Sequence, residues 1–311
     1  MEIFRTTFAK AAPSIPQIEE TSTLFGLLNL DKPAAITSRD VVNRLQRLTG
    51  RLKIGHAGTL DPLARGVLVV CVGPATRLVE YVQRMPKRYR GTFLLGKTSD
   101  TEDVDGLVRE VPDAPQPSRQ QVEAALPSFV GRIEQVPPAF SAVKLQGRRA
   151  YQLARAGHTL VLAPRQVEVY ALTLLDYSYP ELTLEIACGS GTYVRALGRD
   201  LAAALGTGAV MAALTRTAIG HFRLEDAVDV GSLSRETLGR HLLPAAVAVA
   251  GLPQVHVTAE QCARLAHGLP VDNQWNVRGP EIAALDSTGR LCALLVPGRK
   301  DQLRPARNFP A

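Results

Sequence analysis

The sequence predicts an α+β protein in two units, and three observations carry the prediction. Strand-like and helix-like patterns are interleaved along the chain. Its 311 residues suit about two domains of ~150 residues each. Near AGLPQ, residues 250 to 254, an alanine-rich stretch gives way to VHVTAEQCARLAHGLPV, which marks the main boundary. The expected division is a loose arm over 1–23, a large unit over 24–252 and a small, mostly-β unit over 253–311.

Each element has a local reason. Residues 1–23 show no sustained period and contain two prolines. FGLLNLDK (25–32) is a short apolar strand stopped by Pro33. Thr37 or Ser38 offers an N-cap to a helix carrying Val41, Val42, Leu45 and Leu48 on one side, with Gly50 past its end. VLVVCV (67–72) reads as a strand buried on both faces. A helix through Val79 and Val82 follows Gly73-Pro74, and KRYRGTFLL (87–95) then alternates as a strand. After the acidic loop DTEDVDG come another short strand and a proline-rich connection over 112–118. LTLEIAC (182–188) alternates like a half-buried strand, and GSGTYVR leads into a helix striped by Val194, Leu197, Leu201 and Leu205. Arg195 and Arg199 lie off that stripe. The tail is expected to hold one short helix and a hairpin, EIAALDSTGRLCALLV, turning at STG.

Composition narrows the chemistry. Lys and Arg outnumber Asp and Glu by 36 to 29, a net charge of +7, which favours a polyanionic partner through phosphate neutralisation. The four cysteines, Cys71, Cys188, Cys262 and Cys292, form no CxxC pair and read as buried free thiols in a reducing cytoplasm. No apolar run approaches the ~18 residues of a membrane span. The chain lacks GxxxxGK[ST], GxGxxG after a strand, HExxH and a serine elbow, so zinc and phosphoryl-transfer chemistry are disfavoured.

What remains are polar residues at sharp turns. In GHAGTLDPLARG, Gly55, Gly58 and Gly66 permit unusual backbone angles and Pro62 fixes one, so the loop is suited to hold the Asp61 carboxylate in a defined pose. His56 in that loop reads as a ligand, a base or a structural hydrogen-bonder. Tyr89 is either a half-buried core tyrosine or an aromatic platform for a base, ringed by Lys87, Arg88 and Arg90. Alternation sends Tyr89 to one face and Arg88 and Arg90 to the other. Tyr193 and Arg195 begin a helix, where the arginine serves structure or grips a carboxylate.

Six ordered segments, LLNLDKPAAITS, GHAGTLDPLARGVLVVCVGPATRL, KRYRGTFLLGKTSDTEDVDG, VPPAFSAVKLQGRRAYQLARAG, CGSGTYVRALGRDL and GAVMAALTRTAIGHF, resemble the successive motifs of bacterial tRNA pseudouridine-55 synthases. The resemblance covers about residues 25–222, and the tail more loosely resembles a small PUA-type RNA-binding domain. It implies a catalytic domain around a mixed, largely antiparallel sheet. It also implies the T-arm stem-loop of tRNA as partner, no cofactor, no membrane and no obligatory protein partner.

By the same resemblance Asp61 is the catalytic aspartate, Arg195 the arginine paired with it, and Tyr89 the tyrosine that stacks on the target uracil and is a candidate for proton transfer. His56 contacts the displaced nucleotide, Tyr193 is a second active-site tyrosine, Leu214 an apolar wall of the uridine pocket, and Lys32 lies nearby in LDKP. Ala35, Arg65 and Thr215 depart from the family pattern, which commonly has glycine, a small residue and the start of a basic pair there. Two other readings stay open on the residues alone: a tRNA-folding protein without turnover, and a metal-dependent hydrolase using His56 and Asp61.

Overall fold

The computed structural model describes residues 24–141, 143–145, 147–158 and 160–310; the arm assigned to 1–23 lies outside them. Among these residues a ten-stranded mixed sheet runs in the order Val228–Asp229, Gly26–Lys32, Arg65–Val72, Ala209–Ile219, Lys87–Leu95, Glu181–Cys188, Arg165–Ser178, Gly131–Gln135. Ile54–His56 pairs with Arg65–Val72, and Phe222–Arg223 with Ala209–Ile219. Two pairings are parallel, Ala209–Ile219 with Arg65–Val72 and Gly26–Lys32 with Val228–Asp229. The rest of the sheet is antiparallel.

Strand Arg65–Val72 is buried at every position after Arg65 because both of its faces are covered. Leu68, Val70 and Val72 pack with Val41, Val42 and Leu45 of helix Ser38–Leu48. Val67, Val69 and Cys71 pack with Ala75, Leu78 and Val82 on the other side. The helix starts where expected: the Thr37 side chain accepts from Asp40 N, and the Asp40 carboxylate accepts from Thr37 N at 2.9 Å. Strand Lys87–Leu95 alternates instead. One face, with Tyr89 and Phe93, meets Val194, Leu197 and Leu201 of helix Val194–Ala204. Gly198 makes that approach possible, since a Cβ there would fall 2.2 Å from Phe93 Cε1.

Two long strands have no counterpart in the sequence pattern. Arg165–Ser178 changes register between Val169 and Ala171 and again between Leu174 and Asp176. Ala209–Ile219 does so between Met211 and Ala213 and between Arg216 and Ala218. Each bulge moves side chains to the opposite face, which erases the two-residue period.

The C-terminal sheet has five strands, Gln254–His256, Ile282–Leu285, Leu291–Pro297, Gln302–Asn308 and Val271–Asp272, in that order. The expected helix (Ala259–Ala266) and the expected hairpin are present, the latter closed by Gly289 N donating to Asp286 O at 3.0 Å. The other three strands are additions to the expectation. Two of them are only two or three residues long, and the third contains Pro305 and four polar side chains. This sheet does not stand apart. Ala283, Leu285, Leu291, Leu294 and Phe309 share one apolar cluster with Leu27, Val69, Cys71 and Leu78. No helix among the described residues is long and apolar enough to cross a membrane.

Candidate active site

The loop between Ile54–His56 and Arg65–Val72 is held from three directions. Ser38, buried in the first turn of its helix, grips both backbone groups of Leu60: its hydroxyl donates to Leu60 O at 3.1 Å and accepts from Leu60 N at 2.9 Å. Arg216 donates to Thr59 O at 3.4 Å and Gly58 O at 3.1 Å. Ala35 N donates to Pro62 O at 2.8 Å. The turn that the Asp-Pro pair signals closes where Ala64 N donates to Asp61 O at 3.1 Å. Every backbone neighbour of Asp61 is therefore anchored, and its carboxylate is aimed.

Two aspartates share one arginine. Arg195 Nη2 lies 3.0 Å from Asp61 Oδ2, and Nη1 lies 3.5 Å from Asp103 Oδ2. The guanidinium also donates to Thr101 O at 2.7 Å and Phe140 O at 3.0 Å. The carboxylates differ in access: the Asp61 side chain is 35% exposed and that of Asp103 is 7% exposed. Asp103 is further occupied by the Thr101 hydroxyl at 2.5 Å and Asp105 N at 3.2 Å. Of the two carboxylates, Asp61 is the one open to solvent.

Burial pushes the Asp61 carboxyl above the ordinary aspartate range; Arg195 draws it back, and Asp103 adds to the rise. Lys32, fully buried with its Nζ donating to Pro33 O at 2.9 Å and Ile36 O at 2.7 Å, is lowered to about 8 by burial, with Asp61 opposing the shift. Tyr89 and Leu214 join Leu60 and Ala64 in the cluster that lines this region. The Tyr89 hydroxyl is raised by burial, against the charge of neighbouring Arg216. Arg88 and Arg90 are exposed, on the opposite face of the strand from Tyr89. The cations on the tyrosine's side are instead Lys87 and Arg216, both buried. The split of Tyr89 from Arg88 and Arg90 is the one alternation predicts, Lys87 is retained from the expected ring, and Arg216 is an addition to it.

Tyr193 and Arg195 are positioned by Gln135, which sequence reasoning missed. Its buried amide accepts from Tyr193 N at 2.8 Å and donates to Tyr193 O at 3.1 Å, fixing the residue that caps helix Val194–Ala204. The Tyr193 ring packs against the apolar cluster of Val143, Ala150 and Leu162. His56 ends the strand before the loop, half-buried, with Nδ1 lacking a partner. Burial lowers its pKa below the ordinary histidine value, the Gly58 backbone opposing the shift and Arg216 and Arg39 adding to it. Asp103, Ser38 and Gln135 were not foreseen. Asp103 sits among Asp100, Glu102 and Asp105 in one acidic loop, where spacing singles out none of them. Among the described residues no group of three His, Cys, Asp or Glu is arranged to hold a metal ion.

The chain that carries this carboxylate–arginine pair has relatives among known proteins. Residues 46–194 match the model of the TruB family pseudouridylate synthase N-terminal domain. A tRNA pseudouridine synthase B from Gloeobacter violaceus is 44% identical over 249 residues, 78% of this chain and 85% of that protein. One from Leifsonia xyli subsp. xyli is 40% identical over 296 residues, 92% of this chain and 97% of that protein. A Cbf5-Nop10-Gar1 complex contains a chain of similar fold, with TM-score 0.71 and 26% identity over 92% of this chain and 85% of that one. The fold is that of a pseudouridine synthase. Within that class, the chain belongs to the TruB family of pseudouridylate synthases.

Proposed function

We propose that the protein isomerises uridine 55 in the T-loop of tRNA to pseudouridine, with Asp61 as the essential carboxylate acting on a base displaced from its stack. One observation carries the assignment of Asp61: of the two carboxylates on Arg195, it is the one whose side chain is open and which, among the described residues, pairs through its side chain with the arginine alone. The relatives' names supply tRNA as the substrate class. The net charge of +7 suits that polyanion.

The reaction breaks the N1–C1′ bond, turns the uracil and forms a C5–C1′ bond, while the proton on C5 is lost and N1 regains one. Atoms are conserved, and no redox equivalent or external energy source is consumed. An ionised Asp61 acts at the sugar or the base, as a carboxylate does in retaining glycoside cleavage. In this reading Tyr89 stacks on the uracil with its hydroxyl available for proton transfer, Leu214 walls the pocket and Arg195 holds the carboxylate. Lys32 supplies charge beside it, while His56 and Tyr193 contact the RNA around the extruded nucleotide. Residues 24–252 form the catalytic unit, residues 253–311 a PUA-like RNA-binding unit, and the protein works in the cytoplasm on the T-arm stem-loop.

The test is Asp61→Asn, which keeps size and turn hydrogen bonding while removing the charge. Single-turnover conversion at saturating enzyme should be undetectable, while tRNA affinity, supplied by phosphate contacts, stays near wild type. Substantial pseudouridine from rigorously wild-type-free variant would refute the assignment. Mapping of modified positions in a tRNA pool, before and after incubation with the wild type, tests the choice of position 55.

A further inference from the structure

Arg216 is 1% exposed, and among the described residues no carboxylate forms an ion pair with it. Its guanidinium is held by three backbone carbonyls, with the Tyr89 hydroxyl beside it: Nε donates to Val67 O at 2.7 Å, Nη1 to Thr59 O at 3.4 Å and Nη2 to Gly58 O at 3.1 Å. Burying a cation without a counter-charge is costly. The surroundings add to the cost, since its charge also opposes protonation of Lys32, Lys87 and His56. A leucine or methionine would fill the same interior more cheaply, so the position must serve something that only a rigid fork of donors provides.

What the fork holds is the chain immediately before Asp61. Gly58, at φ +110°, and Thr59 are the third and second residues ahead of the aspartate. Val67 is the third residue of the strand that follows it, in the buried part. One side chain therefore pins both ends of the loop. Gly66, at φ +102°, lets the loop lie directly on the Arg216 backbone, where a Cβ would meet Arg216 O at 2.3 Å. In the strand pairing Arg216 stands opposite Tyr89, and its guanidinium neighbours the tyrosine's hydroxyl.

We propose that Arg216 is a positioning residue for the isomerisation: gripping Gly58, Thr59 and Val67, it fixes the reach of Asp61 and holds it in register with Tyr89. The role differs from that of Arg195, which touches the carboxylate itself. It rests on the reading of Asp61 as the reacting group.

The experiment uses the full chain with Arg216→Lys, Arg216→Gln and Arg216→Met, beside wild type and Asp61→Asn. Melting temperature, tRNA affinity and single-turnover conversion at saturating enzyme are measured, each variant assayed well below its own melting point. A lysine keeps the charge but cannot span three carbonyls. Folded Arg216→Lys should bind tRNA within about threefold of wild type and convert it about a hundredfold more slowly, the order of loss expected from misplacing a reacting group by ~1 Å. The loss should sit in the rate at saturation, not in affinity, a split that a merely structural arginine does not produce.

Wild-type conversion by folded Arg216→Lys overturns the proposal, as does a loss confined to RNA binding. Failure of all three variants to fold assigns the residue to the fold at large and overturns it too. If the wild type forms no pseudouridine, or Asp61→Asn does, the reading of Asp61 falls and this proposal with it. An active wild type with inactive Asp61→Asn and fully active Arg216→Lys removes this proposal alone.

Discussion

Arg195 Nη2 lies 3.0 Å from Asp61 Oδ2, and the pair is asymmetric: the arginine side chain is 7% exposed, the aspartate's 35%. The cation is thus fixed by buried partners, while the anion projects from a turn held by its neighbours' backbone. Fixed charge behind a mobile reaction partner is electrostatic preorganisation, because no dipoles need reorient when charge develops on the substrate. Asp103 completes it by holding the guanidinium from a second side.

Asp103→Asn should slow conversion about tenfold to a hundredfold with little change in tRNA affinity, because the amide holds Arg195 less firmly and the loss falls on geometry. It should also move the acid limb of the pH–rate profile. Asp103 raises the Asp61 pKa, so removing its charge lowers the pH at which Asp61 ionises. The limb therefore shifts downward even as the plateau falls. An upward or absent shift in single-turnover profiles refutes this coupling.

The alkaline side should be set by Lys32. Its pKa is lowered to about 8 by burial, and its charge interacts with Asp61. Above that pH the ammonium becomes neutral and its positive charge no longer stands beside the carboxylate and the developing charge of the substrate, so the rate should decline. Lys87 is also lowered to about 8, yet Asp61 is absent from the charges acting on it. Lys32→Met should abolish the alkaline limb and lower the plateau, whereas Lys87→Met should leave the limb in place. The reverse outcome in pH–rate profiles assigns the limb to Lys87.

Ala35 occupies φ 66°, a left-handed conformation, in the turn whose amide holds Pro62. A Cβ there costs about 1–2 kcal/mol. Glycine removes that strain but returns about 0.4–1 kcal/mol of unfolded-chain entropy. The difference favours Ala35→Gly by about 0.5–1 kcal/mol, to be measured by denaturant unfolding, with conversion unchanged. Destabilisation would show that the strain is compensated elsewhere.

Helix Ser38–Leu48 and strand Lys87–Leu95 were legible because their cues are local: a capping pair, a 3.6-residue stripe and a two-residue alternation. Strand Arg165–Ser178 was not, because two bulges destroy its period. The same division holds at the site. Asp61 announces itself through a glycine-rich turn and, with Arg195, through the ordered motifs. Ser38, Asp103 and Gln135 matter only through partners 22, 92 and 58 positions away, and no local pattern reports such contacts. Arg88 and Arg90 belong to the legible part, since the alternation that sets them on the face opposite Tyr89 holds in the strand.

The C-terminal unit should prove inseparable from the catalytic one, although all the candidate site residues precede it. Phe309 is buried and stacks on Phe25 at 5.7 Å between ring centroids, and the Arg77 guanidinium lies 5.5 Å from its ring centre. Around it Tyr81 donates to Glu281 at 2.7 Å, Arg77 to Asn308 O at 2.6 Å, and Arg307 pairs with Glu80. Deleting residues 253–311 would bare Leu27, Val69, Cys71 and Leu78 on the catalytic side. Exposed apolar surface of that kind drives aggregation. The truncated chain should therefore melt earlier and aggregate, losing turnover even on an isolated T-arm stem-loop. Phe309→Ala separates this packing from RNA binding: it should cost about 3 kcal/mol of stability, as buried Phe→Ala changes do, while the folded fraction keeps its single-turnover rate. A truncated chain that stays monomeric, with an unchanged melting temperature, would show that the shared cluster contributes nothing to the stability of the catalytic unit.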